Sequence, residues 1–328
     1  MKKKIALVMG GDSGEYEISI QSAMMIQKNI DQNLYEVYPI LIMGKNWTHA
    51  TDSGLVFHVN KNDFSLQFPE RKIVFDAVFI AIHGTPGEDG KLQGYFELMG
   101  IPYTSCNLTV SAITFNKYFC NDLAIQYGMN VPATVLLRLS TTIIHEDVIA
   151  TTGLPCFVKP NKSGSSCGVT KVKTMADFRQ AVQVAFKEDD EVLVQQFIEG
   201  RELACGVFKY KGDIIVLPAT EIISKNEFFD YEAKYTDGMA SEVTPAPMTP
   251  SQTQECERMT AYLYEKFDCK GVVRFDYFLT GDKFWFLEVN TVPGLTEASL
   301  VPKQAAAKGI PIEKFFSMLL EETLSASH

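Results

Sequence analysis

Zinc-ligand spacing is missing from this chain: its five histidines are scattered and none is paired with a cysteine cluster. The seven cysteines (106, 120, 156, 167, 205, 256 and 269) are odd in number and widely spaced. They form no Cys-x-x-Cys, so neither a disulfide framework nor a redox motif is indicated, and free thiols in a reducing cytosol are expected. A basic excess is lacking too. The formal net charge of -10 argues against a nucleic-acid or anionic-membrane partner, although a local basic pocket is compatible with it. No apolar run approaches the ~20 residues of a transmembrane helix. The start, Met1-Lys-Lys-Lys followed by Ile5–Met9, has the charge of a signal peptide but an apolar run too short for one before Gly10-Gly11. It reads as a first buried strand.

What remains is the composition of an ordinary soluble protein, long enough at 328 residues for two or three domains. The first hundred residues alternate strand and helix: a strand at 5–9, a helix over about 18–30, strands at 35–42 and 74–82, and a helix around 91–99. The third strand is apolar but for Asp76, as expected for a doubly covered parallel strand. Ligand-bearing loops are expected at the carboxyl ends of these strands. One helix is expected over roughly 111–127, then a small α+β unit with strands at 133–137, 155–160, 169–172 and 192–197 and a helix near 175–186. A mainly antiparallel region follows, with strands at 202–208 and 213–220, a helix near 251–267 and a hairpin. A last helix covers about 311–324. The fold class is therefore α/β and α+β. The polar stretch from Ser224 to Pro247 has no clear period and suits a lid.

The hairpin is the richest feature. Arg274 and Asp276 alternate on one strand; Glu288 and Asn290 alternate on the next. Residues two apart share a face. Two carboxylates, a carboxamide and a guanidinium thus fall on one surface, and hard oxygen ligands on a rigid sheet suit magnesium and the phosphates it carries. A solvated sheet face with a surface ion pair is the other reading.

Lys159-Pro-Asn-Lys-Ser-Gly164-Ser165-Ser166-Cys-Gly168 can wrap phosphate with backbone N–H groups, or be a plain hairpin loop. It is not a P-loop, because the lysine precedes the glycines. Lys159 ends an apolar strand, where an ammonium needs an anion. Lys117 is a second cation, or a surface helix lysine. Gln195-Gln196-Phe-Ile198 leading to Glu202 suits an adenine shelf with a ribose-binding carboxylate, or an ordinary linker. Glu15 follows the first strand in a turn that lacks Gly-x-Gly-x-x-Gly, which disfavours a dinucleotide oxidoreductase. It can also simply complement a helix dipole. His83-Gly-Thr-Pro-Gly87-Glu-Asp-Gly90 sits after the third strand, and Lys234-Tyr235 in the lid segment.

In this order, His-Gly…Gly-Glu-Asp-Gly, Lys-Pro…Gly-Ser-Ser, Tyr231-Glu-Ala-Lys-Tyr235 and Arg-x-Asp…Glu-x-Asn290-Thr-Val-Pro-Gly-Leu-Thr resemble the D-alanine–D-alanine ligases of the ATP-grasp superfamily. The resemblance runs from Gly10 to about Pro302. It implies a three-domain ATP-grasp architecture, bounded here at 1–110, 111–198 and 199–328, with a lid over about 224–246. It also implies that ATP joins two D-alanines through a D-alanyl phosphate, releasing ADP and phosphate, for peptidoglycan synthesis. Lys117, Lys159, Ser165 and Ser166 would contact the phosphates, Gln195, Gln196 and Ile198 the base, Glu202 the ribose and Lys234 the transferred phosphate. Asp276, Glu288 and Asn290 would hold two Mg2+, with Mn2+ able to substitute. Arg274 and the Gly294 N–H would face the oxyanion. Glu15, linked to Ser165 and Tyr235, would hold the first ammonium with His83 nearby, and Ser299 with Leu300 the second carboxylate. Many relatives carry an acidic residue and a lysine where this chain has Gln195-Gln196, which puts the base contacts in doubt. A ligase using another acid, such as D-lactate, is the alternative; Tyr235 favours D-alanine. A homodimer in the cytoplasm is implied.

Overall fold

The computed structural model describes residues 1–142, 144–164, 167–224 and 240–325. Three sheets organise them. In the first, β1 (Lys3–Gly10) runs parallel to β2 (Tyr35–Met43) and to β7 (Ala77–Ile80). Helix α1 (Tyr16–Asn29) covers it, burying Ala23 and Ile26 against the sheet. β1 and β7 are buried on both sides, as their unbroken apolar runs require.

Beyond β2 the sheet continues as an antiparallel meander, β3 (Asn46–Ala50), β4 (Val56–Asn60), β5 (Ser65–Gln67) and β6 (Lys72–Ile73), which the sequence did not announce. These strands are short, polar and half exposed, so they carry no period. The expected strand at 74–82 is shorter too. Asp76 leaves the ladder, and its carboxylate accepts from the Lys4 N–H at 2.8 Å.

The expected single helix at 111–127 is two, α3 (Leu108–Phe115) and α4 (Lys117–Gln126), preceded by α2 (Lys91–Met99). Asn116 makes the break. Its backbone is extended and its side chain caps α4 by accepting from the Phe119 N–H at 3.1 Å. Asn161, in the loop of the second sheet, accepts from the next two donors, Lys117 N–H and Tyr118 N–H. The break therefore sets Lys117 at the start of a helix and beside the glycine loop.

The second sheet holds β8 (Thr134–Arg138), β9 (Cys156–Pro160), β10 (Thr170–Val172) and β11 (Glu191–Gln196) in the order β10-β9-β11-β8. Helices α5 (His145–Thr152), absent from the sequence reading, and α6 (Met175–Ala185) enclose its core around Val158, Phe178 and Val194.

The third sheet is antiparallel. β12 (Arg201–Tyr210) carries β13 (Asp213–Val216) and β14 (Thr220–Ser224). Pro218 breaks the strand expected over 213–220 by removing a donor. β15 (Ala240–Val243) pairs with β14, so both described ends of the presumed lid segment are strands; 225–239 lie outside the described residues. β16 (Val272–Thr280) and β17 (Lys283–Asn290) complete the sheet. Helix α7 (Pro250–Lys266) opens on a capping box, Thr249 with Gln252.

Two further helices join first sheet to third. α8 (Leu300–Ala307) is fixed to β12 by Gln304, whose buried amide accepts from the Gly206 N–H (2.9 Å) and donates to the Ala204 C=O (2.8 Å) and Thr220 Oγ1 (3.0 Å). From α9 (Ile312–Ser325), Phe316 packs edge-on against Phe79 of β7, and Phe315 against Phe208 of β12. Each buried phenylalanine contributes roughly 2–3 kcal/mol.

Candidate active site

The hairpin register places Arg274 opposite Asn290 and Asp276 opposite Glu288, so all four side chains share one face. The alternation read from the sequence has that consequence, and a bulge after Asp276 ends it. Arg274 donates through Nε and Nη2 to the two oxygens of Asp276, at 2.8 and 2.7 Å. Asn290 Nδ2 adds a third bond to Asp276 at 3.1 Å. Asp276 is nearly buried. Burial works against the Arg274 charge, but Asp276, its hydrogen bonds and Glu288 outweigh it and hold the guanidinium above its ordinary pKa.

Lys117 reaches this face from α4. Its Nζ lies 3.8 Å from Glu288 Oε2 and donates to the Ser163 C=O at 2.6 Å. A lysine at a helix N-terminus meets an unfavourable dipole, and here carboxylate and carbonyl offset it. Lys159 is buried on β9 and donates to Gln195 Oε1 at 2.8 Å, while Gln195 Nε2 donates to Thr134 Oγ1. Gln195 thus orients a lysine. Gln196 accepts from the Ala133 N–H at 3.3 Å, bracing the chain just before β8. Ile198 is largely buried where β11 leaves the second sheet, and Glu202 is half buried near the start of β12.

Glu15 caps the turn into α1 and lies against Gly164: a Cβ on residue 164 would run into its carboxylate. That contact explains the glycine and brings the first sheet's loop to the phosphate-type loop. Ser165, Ser166, Lys234 and Tyr235 lie outside the described residues. His83 is buried with both ring nitrogens engaged, Nδ1 to the Val292 C=O (2.7 Å) and Nε2 to Ser22 Oγ (2.9 Å). Its expected part beside the first ammonium is therefore not through a nitrogen aimed at a ligand. Burial lowers its pKa, against the pull of Glu15. Gly294 packs so closely on Ser299 that a Cβ there would meet Ser299 Oγ at 2.8 Å. Ser299 Oγ bonds both the Thr296 N–H and hydroxyl. Leu300 begins α8 and packs on Ala204 and Ile222.

Glu88 was missed, though it stands inside the Gly87-Glu-Asp-Gly90 run. Oε2 accepts from the Gly84 N–H (3.1 Å), and Oε1 from the N–H groups of Thr291 (3.0 Å) and Val292 (3.2 Å). Burial, then the neighbouring Glu15 charge, pushes its pKa up to about 7. Ser22 and Gln304 carried no sequence signal; each is one polar residue on a helix.

Chemically, the donor set fits a hard divalent cation. Asp276 and Glu288 supply carboxylate oxygens and Asn290 a carboxamide oxygen, and magnesium takes one or two carboxylates together with substrate phosphates. Asp276 is held in place by Arg274 and Asn290, which fixes the direction of its carboxylate.

A small antiparallel sheet with a buried lysine, Lys159, and a larger one whose acidic face meets Lys117 of α4, define a nucleotide-dependent enzyme of the ATP-grasp class. Residues 4–106 match the family described as "D-ala D-ala ligase N-terminus" and residues 123–321 that described as "D-ala D-ala ligase C-terminus". The chain belongs to the D-alanine–D-alanine ligase family. It is 44% identical to a D-alanine–D-alanine ligase of Phocaeicola vulgatus over 98% of this chain and 99% of the relative. The VanG D-Ala:D-Ser ligase of Enterococcus faecalis superposes with a TM-score of 0.88 at 33% identity, covering 98% of this chain and 100% of that one. A Bacillus anthracis D-alanine–D-alanine ligase solved with ATP gives 0.80 at 27% identity, covering 99% and 98%.

Proposed function

We propose that this protein uses ATP to join two D-alanine molecules into D-alanyl-D-alanine through a D-alanyl phosphate, releasing ADP and phosphate and supplying peptidoglycan synthesis. The observation that carries the reading is the convergence of Arg274, Asp276, Glu288 and Asn290 on one sheet face with Lys117 against it. A carboxylate attacking ATP approaches a polyanion, so cations must gather there. Lys117 and Lys159 supply two, with Lys159 held in line by Gln195. Asp276, Glu288 and Asn290 would hold two magnesium ions, or manganese in their place; bound there, the metal neutralises phosphate charge.

Arg274 then has two partners in sequence: Asp276 in the structure described, and the oxyanion formed when the second amine attacks. The Gly294 N–H is the second donor to that oxyanion. Donors fixed before reaction are worth about 3–4 kcal/mol each. Glu15 holds the first ammonium, Ser299 and Leu300 border the second substrate, and Glu202 takes the ribose. Ser165, Ser166, Lys234 and Tyr235 belong to the closing loops that keep water from the acyl phosphate. The units 1–110, 111–198 and 199–328, a homodimer and a cytoplasmic location complete the proposal; no described helix is long and apolar enough to cross a membrane.

Phosphate release tests it. Release is expected only with ATP, magnesium and D-alanine together. Release with L-alanine but not D-alanine would overturn the substrate assignment, and faster coupling to D-serine or D-lactate than to D-alanine would move it to a neighbouring ligase.

A further inference from the structure

The turn Thr291-Val-Pro-Gly294-Leu-Thr296 has an uneven hydrogen-bond pattern. The N–H groups of Thr291 and Val292 go to Glu88, that of Leu295 to Ser22 Oγ, and that of Thr296 to Ser299 Oγ. Pro293 has none. Among the described residues, none accepts from the Gly294 N–H. The other backbone N–H groups of the turn are tied down, and three of the ties come from the first sheet's loops and helix, more than two hundred residues away in sequence.

His83 adds a fourth tie, and the chemistry fixes its tautomer. A carbonyl only accepts, so Nδ1 carries the hydrogen toward Val292 C=O. In the neutral ring Nε2 then accepts from the Ser22 hydroxyl, whose oxygen accepts from the Leu295 N–H. Burial lowers its pKa and so favours the neutral ring. The chain of donors runs one way: Leu295 N–H to Ser22, Ser22 O–H to His83, His83 N–H to Val292 C=O. Glu88 closes the other end.

We propose that Ser22, His83 and Glu88 are positioning residues: they form an interdomain clasp that fixes the backbone of Thr291–Leu295 and so holds the Gly294 N–H toward the reacting carbonyl. The inference rests on the ligase reading above. Simple domain adhesion does not require this arrangement, because α9 already joins the two sheets through Phe79–Phe316 and Phe208–Phe315. Placing the Glu88 carboxylate in a half-buried site facing Glu15 costs stability that an apolar contact would not. What a carboxylate does, and an apolar side chain cannot, is accept from adjacent backbone donors in a fixed geometry. A displacement of about 1 Å at a reacting group lowers rates by up to about a hundredfold.

The test uses the full-length enzyme and three variants: Ser22→Ala, Glu88→Gln and Glu88→Ala. Wild-type turnover with D-alanine is measured first; its absence would sink the ligase reading itself. With the wild type active, kcat is expected to fall about 10- to 100-fold in Ser22→Ala and Glu88→Ala, while KM for ATP stays within about twofold. Glu88→Gln keeps one carbonyl oxygen for Thr291 and Val292 and should retain more activity than Glu88→Ala. Because attack on the acyl phosphate is the impaired step, dipeptide formed per phosphate released should drop below the wild-type ratio. A wild-type kcat and ratio in all three variants would overturn the clasp. So would a loss in which KM for ATP rises alongside and the melting temperature falls in proportion, since that is the mark of general loosening.

Discussion

Asp276→Asn removes one charge from a pair that the fold has almost enclosed. The Asp276 side chain is 5% exposed and that of Arg274 20%. The carboxylate accepts both arms of the guanidinium at 2.7–2.8 Å and the Asn290 amide as well. Asparagine keeps the shape, but one oxygen becomes an NH2 pointing at a donor. At an effective dielectric near 20, two charges about 4 Å apart attract by ~4 kcal/mol. Breaking a buried pair by deleting one partner costs about 3–5 kcal/mol, since the other charge stays behind. The partial exposure of Arg274 places the expected loss near the lower end, about 3 kcal/mol. The assay is urea unfolding without nucleotide, followed by tryptophan fluorescence; Trp285 lies on β17 itself. A second variant, Arg274→Met with Asp276→Leu, should recover stability to within about 1–2 kcal/mol of wild type, because apolar replacements of a buried ion pair are often neutral. Neither variant should turn over substrate. An Asp276→Asn protein within about 1 kcal/mol of wild type would refute the reasoning, as would a double variant no more stable than the single one.

Gln304→Leu should cost roughly 2–5 kcal/mol in the same assay. It orphans the Gly206 N–H and the Ala204 C=O in the core, at about 1–3 kcal/mol each; a melting temperature equal to wild type would show that water replaces the amide. Glu88 predicts a pH signature. Its pKa rises from 4.5 to about 7 on folding, so its stabilising share is complete below about pH 4.5 and is lost as pH climbs through about 7. Relative to Glu88→Gln, the wild type should therefore lose up to roughly 3 kcal/mol between pH 4.5 and 8; a stability difference that stays constant with pH would refute the shift.

The chemistry of the hairpin was legible because strand periodicity converts position directly into face. Arg274, Asp276, Glu288 and Asn290 needed only a period of two and the correct register. The three-sheet order was legible from runs such as Ala77–Ile80 that are apolar throughout. The meander at 46–73 was not, because edge strands with one buried residue in five carry no pattern. The break at Asn116 was written in the sequence as an N-cap, but an apolar segment on either side masked it. Gln195 was read against a nucleotide base, and its bond from Lys159 was not foreseen; side-chain direction within a buried layer depends on neighbours a linear reading does not supply. Glu88 and Ser22 act on backbone atoms, and backbone partners leave no trace in residue identity.

The ties on the Thr291–Leu295 turn also bear on when the protein becomes an enzyme. Ser22 and Leu295 are 273 residues apart, His83 and Val292 209. Contacts of such long range close late, after local helices and hairpins have formed. During synthesis the first sheet can fold while β16 and β17 are still unmade. Its loops must then wait, with their polar groups hydrated, for the last quarter of the chain to arrive. Activity should thus appear as the final event of refolding, later than the recovery of secondary structure, and a nascent chain should carry the sheets of a ligase before it carries a working oxyanion site.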